Sequence, residues 1–130
     1  MEVVVAIIKK HDKILCCQRK SDDKFPGKWE FPGGKVNEGE PLSIALEREL
    51  NEELGETRIN DLKMMDNFQS HYGDEDYNVF VYSVDIESNF ELNVHNRIKW
   101  VSGDELGKLN WLDGNTELVE KLSKLDNGYL

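Results

Sequence analysis

The stretch GGKVNEGEPLSIALERELNEELGE, residues 33–56, carries most of what this chain discloses about itself. Pro41 suits a first helical turn, where its missing N–H costs little, and Gly55 suits a terminating left-handed residue. Between them Leu42, Leu46, Leu50 and Leu54 recur every four residues, an apolar stripe about three turns long that predicts a helix packed on a core. The same helix carries Glu49, Glu52 and Glu53 at i, i+3, i+4, which puts three carboxylates on one face, with Ala45 one turn earlier leaving room above them. Like charges so placed repel by roughly a few tenths of a kcal/mol per i,i+4 pair, and crowding raises one or more of their pKa values. A divalent cation with oxygen ligands, Mg²⁺ or Mn²⁺, removes the conflict; a face that is merely solvated is the alternative. The approach to the helix favours the cation. Gly33-Gly34 lets backbone come close to a ligand, Glu40 sits at the helix start where negative charge is favoured, and Arg48 can hold a carboxylate in its planar fork.

Upstream, Val3 to Ile8 is a continuous apolar run, followed by a polar turn from Lys9 to Lys13 and a second run from Ile14 to Cys17. This predicts two buried strands joined by a short turn. Trp29 and Phe31 mark a short strand broken by Pro32 and opened by the glycines. Downstream, strands are expected at Ile59 to Met65, Asn67 to Tyr72, Asn78 to Ile86 and Ile98 to Val101. In the third of these Val79 and Val81 face one side, Phe80 and Tyr82 the other. Asn115 or Thr116 can cap a last helix with Leu118, Val119, Leu122 and Leu125 on one side. Strands mixed with two helices point to an α/β sandwich.

The chain has 130 residues, 38% of them hydrophobic, which fits one compact domain over 1–130 with a true core and argues against disorder. The run of about 18 apolar residues that a membrane span needs is absent, and the start MEVVVAIIKK lacks the features of a signal peptide, so a cytoplasmic protein without a membrane partner is expected. Cys16 and Cys17 are adjacent; on a strand they point to opposite faces and read as reduced packing residues. With 16 Lys+Arg against 26 Asp+Glu the net charge is −10, which excludes a surface for long nucleic acid.

The pattern Gly34-x5-Glu40-x7-Arg48-Glu49-Leu50-x-Glu52-Glu53-x-Gly55 resembles the Nudix box at every fixed position. One departure is Glu56, where the family usually has an aliphatic residue. The opening VVVAIIKKHDKILCCQRK and the phrase GKWEFPGGKVNEGE are similar to MutT-type nucleoside triphosphate pyrophosphohydrolases and related CTP and oxidised-nucleotide hydrolases. The resemblance implies an α/β/α sandwich around a mixed β-sheet, and Mg²⁺-dependent (or Mn²⁺-dependent) cleavage of a nucleoside triphosphate, normal or oxidised, to the monophosphate and pyrophosphate. It implies Glu49, Glu52, Glu53 and the carbonyl of Gly33 as metal ligands, Arg48 as the residue orienting the carboxylates, and a mainly structural Glu40. Arg19 resembles an arginine that contacts phosphate, or else is an ordinary strand-end cation. Asn115 resembles an Asn that reads a purine edge, or else caps the last helix. Relatives often carry a glutamate six residues before the tryptophan that is here Trp100; that position is Val94, and His95 follows it. A histidine there can take a proton, but a lone loop histidine is more often a surface residue. Glu52 or Glu53 is then the better candidate base. Trp111 or Tyr72 can stack on a base, or belong to the core.

Rival readings keep the chemistry with ADP-ribose or another nucleoside-diphosphate-linked substrate, or make the chain a Nudix-fold sensor that binds nucleotide without cleaving it. The sensor reading sits poorly with a complete set of box carboxylates. A monomer or homodimer is expected.

Overall fold

The computed structural model describes residues 1–124, and of Tyr72 the backbone only. The expected Leu125 therefore lies outside the described residues, as does the Tyr72 side chain.

Strand β1 (Glu2–Lys10) turns at His11 and Asp12 into β2 (Lys13–Arg19). Both turn residues have positive φ, +50° and +64°, as a two-residue type I′ turn requires. The expected hairpin is present but short: β1 and β2 pair only at Lys9↔Ile14 and Lys10↔Lys13, then diverge. Beyond that point β2 lies between β3 (Trp29–Glu30) and β7 (His95–Ser102). Strand β1 instead pairs antiparallel with β4 (Gly33–Lys35) and parallel with β6 (Glu75–Ser88). Strand β5 (Thr57–Tyr72) completes a seven-stranded mixed sheet as the antiparallel partner of β6.

Helix α1 (Leu42–Leu54) and the shorter α2 (Thr116–Ser123) cover opposite faces of this sheet. The alternation of strand side chains divides the core accordingly. Val4, Ala6, Ile8, Leu15 and Cys17 pack with Leu46, Leu50 and Leu54 of α1, whereas Ile7, Ile14, Cys16, Val79 and Val81 pack with Leu118, Val119 and Leu122 of α2. The adjacent cysteines thus point into different cores, and both are free. The result is an α/β/α sandwich. Among the described residues no helix is long and apolar enough to cross a membrane.

Three local expectations are revised. The two strands read at Ile59 to Met65 and Asn67 to Tyr72 are one, β5, whose register slips between Met64 and Asp66. The extra residue of such a bulge breaks the alternation without ending the strand. The short strand read at Ile98 to Val101 begins at His95. Gly55 ends α1 at φ 80°, ψ −164°, a positive-φ conformation that favours glycine but lies outside the left-handed helical region.

The carboxylate cluster and its cavity

Helix α1 buries a second stripe beside its leucines: Ala45 and Glu53 are buried, and Glu49 between them is largely enclosed. The close approach of strand β4 makes this enclosure possible. A Cβ on Gly34 would lie 2.4 Å from the Glu49 carboxylate carbon, and one on Gly33, at φ 148°, would lie 2.1 Å from the Val4 carbonyl oxygen. At Gly33 a side chain would meet the backbone of β1, and at Gly34 it would displace the Glu49 carboxylate.

Arg48 organises the open side. Its Nε and Nη2 donate to the two oxygens of Glu40, each at 2.9 Å, while Nη1 donates to Glu49 at 2.9 Å and more weakly to Glu52 at 3.5 Å. Nη2 also donates to the Lys35 carbonyl at 3.0 Å, tying helix to loop. The guanidinium fork, helped by the Asn37 N–H, lowers the Glu40 carboxyl to about 2. Glu40 is accordingly structural in its contacts.

Glu53 is the deepest of the three helix carboxylates, 5% exposed. Burial pushes its carboxyl well above the usual range, the charges of Glu30 and Glu49 push it further, and the Gly33 N–H, donating to Oε2 at 3.1 Å, opposes them. Burial likewise raises Glu49, against the pull of Arg48. Glu52 faces solvent. A hydrogen bond brings Gly33 to Glu53 through its N–H.

One residue of the site, Glu30, is not read as such from the sequence, whereas His95 stands there as one of two alternatives. Glu30, in the phrase WEFPGG, sends its carboxylate to Glu53 from β3, with Oε1 accepting from Arg19 Nη1 at 3.0 Å and Oε2 from His95 Nε2 at 2.7 Å. His95 is not a surface residue: it is 2% exposed, and the same Nε2 lies 3.8 Å from Glu53 Oε1. Its position opposite Arg19 in the β2–β7 ladder directs it inward, a pairing that local sequence does not reveal.

The carboxylates of Glu30, Glu49, Glu52 and Glu53 open on one cavity of about 610 Å³. Val3, Val5, Val79, Phe31 and Leu112 contribute apolar lining to it, and Asn115 lines it too. Asn115 does not cap α2 with its side chain; its Oδ1 accepts from the Phe31 N–H at 3.3 Å, which leaves the amide N–H₂ as its donor group. Arg19 lines the cavity as well, with its charge balanced by Glu30 and Asp23 and its Nε donating to the Lys24 carbonyl. Trp111 is core: its indole N–H donates to the Leu106 carbonyl and its ring packs 4.6 Å from that of Phe31.

The donor set suits a hard divalent cation. It consists of carboxylate oxygens from one helix face and from β3, crowded enough that Glu53 resists ionisation without a counter-charge, and it is reached through a cradle that a single Cβ would fill.

Comparison with known proteins agrees with this arrangement. Residues 1–122 match the family model of the NUDIX domain. The CTP pyrophosphohydrolase of Escherichia coli K12 is 53% identical over 55 residues, covering 42% of this chain and 41% of that protein. The 8-oxo-dGTP diphosphatase of Buchnera aphidicola is 28% identical over 127 residues, covering 95% of this chain and 93% of that one. Among solved structures, the solution structure of the E. coli ORF135 protein superposes with a TM-score of 0.81 at 31% identity, covering 97% of this chain and 90% of that one.

Proposed function

The chain belongs to the NUDIX family of hydrolases, and on that premise we propose that it cleaves a nucleoside triphosphate, normal or oxidised, to the monophosphate and pyrophosphate with a divalent cation, Mg²⁺ or Mn²⁺. The observation that carries the reading is one cavity whose lining combines a carboxylate cluster with apolar side chains and an amide. An anionic phosphate chain and an uncharged base need opposite surroundings, and a nucleotide spans both. The two relatives named above, by their names, act on a pyrimidine and an oxidised purine triphosphate, so phosphate chemistry is the common element.

Glu49, Glu52, Glu53 and the Gly33 carbonyl are assigned as the cation's ligands. Such a cation, when bound, offsets phosphate charge and acidifies water. Arg48 keeps Glu49 and Glu52 in register with the helix and ties them to Glu40, so the carboxylates are oriented before substrate arrives. Glu53, whose burial raises its proton affinity, is assigned as the acceptor of the proton from the attacking water, in preference to the solvent-facing Glu52. One water is consumed as the α–β phosphoanhydride breaks. Asn115, with its oxygen engaged by Phe31, offers its N–H₂ to an acceptor on the base edge. Arg19 contacts phosphate only by sharing a guanidinium already paired to Glu30 and Asp23. The domain is taken as one unit over 1–130, cytoplasmic, monomeric or homodimeric.

The test is a panel of normal and oxidised nucleoside triphosphates plus ADP-ribose, with pyrophosphate and orthophosphate measured separately. Pyrophosphate release from at least one triphosphate is expected. Glu53→Ala is expected to lower that turnover by at least 100-fold with an unchanged circular dichroism spectrum; undiminished turnover by this variant would overturn the assignment.

A further inference from the structure

His95 makes its polar contacts on one side only. Its Nε2 sits between two carboxylates, 2.7 Å from Glu30 Oε2 and 3.8 Å from Glu53 Oε1, while Nδ1 is buried with no partner among the described residues. A histidine serving only the core is expected to have both nitrogens satisfied, because leaving one unmade costs about 1–3 kcal/mol. Here the ring accepts that cost and directs its other nitrogen at the cluster.

The rest of the neighbourhood gives that contact a purpose. Glu30 is pinned from two sides by different strands, Arg19 of β2 on Oε1 and His95 of β7 on Oε2, so the plane of its carboxylate is set. The segment leading into β7 is itself anchored to α1: the Asn93 side chain donates to the Glu52 carbonyl at 3.3 Å and its backbone N–H to the Glu53 carbonyl at 3.4 Å. These carbonyls are left without intrahelical partners at a helix end, so the attachment serves both elements. Ligand-type atoms of Glu30, Glu53 and His95 consequently fall within 4.8 Å of one another. The neighbouring Val94 is apolar, 41% exposed and on the cavity wall.

We propose that His95 is a positioning residue: by donating from Nε2 to Glu30 it holds that carboxylate, which the helix does not supply, facing Glu53 as a further wall of the cation-binding cluster. Without the donor, Glu30 is held from one side only, by Arg19, and its carboxylate is free to turn away from Glu53. The proposal rests on the hydrolase reading above, but its first measurement needs no substrate.

That measurement is the affinity of the nucleotide-free protein for Mn²⁺ by electron paramagnetic resonance titration, accompanied by kcat, KM and melting temperature, for His95→Leu, His95→Gln, Glu30→Gln and the His95→Leu/Glu30→Gln pair. Outer partners of metal ligands are commonly worth about 10–100-fold. His95→Leu is expected to weaken Mn²⁺ binding and kcat by about tenfold or more with KM little changed. His95→Gln, whose amide nitrogen reaches the place of Nε2, is expected to restore both to within about threefold of the parent. The double variant is expected to lose no more than the worse single one, since both act on one contact. Should His95→Leu not fold, His95→Asn, whose amide stops short at the place of Nδ1, carries the same expectation. Parental Mn²⁺ affinity in His95→Leu or His95→Asn overturns the proposal, and so do additive losses in the pair. Failure of His95→Gln to recover points to direct ligation by the ring and overturns it equally. If the parent hydrolyses no triphosphate, the hydrolase reading falls while the Mn²⁺ series still decides the role of His95.

Discussion

Glu53 and Glu40 are two glutamates in the same motif whose environments drive them in opposite directions, and stability should follow pH accordingly. Glu53 has a folded-state pKa raised above the ordinary 4.5. Its contribution is therefore most favourable below that value and is lost as pH rises through the folded pKa. Replacing it by Gln removes an ionisation that burial opposes. Calorimetry of the metal-free protein at neutral pH is expected to show Glu53→Gln melting higher, by roughly 1–3 kcal/mol, with the gain shrinking toward pH 4, even though the variant no longer turns over. Glu40 is lowered from 4.5 to about 2, so its pairing with Arg48 stabilises above 4.5 and is lost as pH falls toward 2. Glu40→Gln should accordingly melt lower than the parent at neutral pH and converge with it near pH 2. The Glu49, Glu52 and Glu53 face was legible because helical spacing alone aligns them. Glu30 was not, and His95 only as one of two alternatives, because residues 30, 53 and 95 meet only through the ladder that sets β3 and β7 on either side of β2. Asn115 invites a reading as a cap, and only the Phe31 N–H shows where its oxygen is engaged.

The glycines of β4 separate folding from binding at the level of one element. The Cβ of Gly33→Ala meets backbone, at a φ that L residues rarely adopt, so this variant is expected to lose several kcal/mol or fail to fold. The Cβ of Gly34→Ala meets the far end of a side chain, and Glu49 can swing aside. That variant is expected to keep its melting temperature within a few degrees while its Mn²⁺ affinity falls at least tenfold, measured by the same titration. Helix α1 and the apolar strands could be read from period and composition, since each signal is local. The continuity of β5 could not: the ladder skips Met65 and resumes at Asp66, which pairs with Val81 because β6 runs alongside and whose carboxylate meets Lys121 of α2 at 3.0 Å.

For the molecule as a whole, the cation links folding to binding. A ligand that binds only the native state at a hundredfold excess over its Kd adds about 2.7 kcal/mol, or about 10 °C in a domain of this size at roughly 4 °C per kcal/mol. Differential scanning fluorimetry with Mn²⁺ at that excess should show a rise of this order in the parent and little in Glu53→Ala. The same addition in weak buffer should release protons, because Glu53 must give up its own to serve as a ligand. The net charge of −10 is thus only in part a surface property; some of it awaits a counter-ion. The sandwich class was readable from the mixture of elements. The order of strands was not, because the parallel pairing of β1 with β6 joins residues as far apart as Glu2 and Asn78.

That parallel pairing also governs when the molecule can assemble. Strand β1 is made before its long partner, which comes only with residues 75–88. The β5–β6 hairpin, closed by a short turn between Tyr72 and Glu75, needs nothing distant and can form quickly. The N-terminal apolar run, and with it the motif helix, waits as an unpaired and sticky segment until that hairpin is available to dock on. Nascent chains arrested after residue 72 should therefore be protease-sensitive and bind a chaperone, whereas chains arrested with residue 88 clear of the exit tunnel should begin to acquire protection.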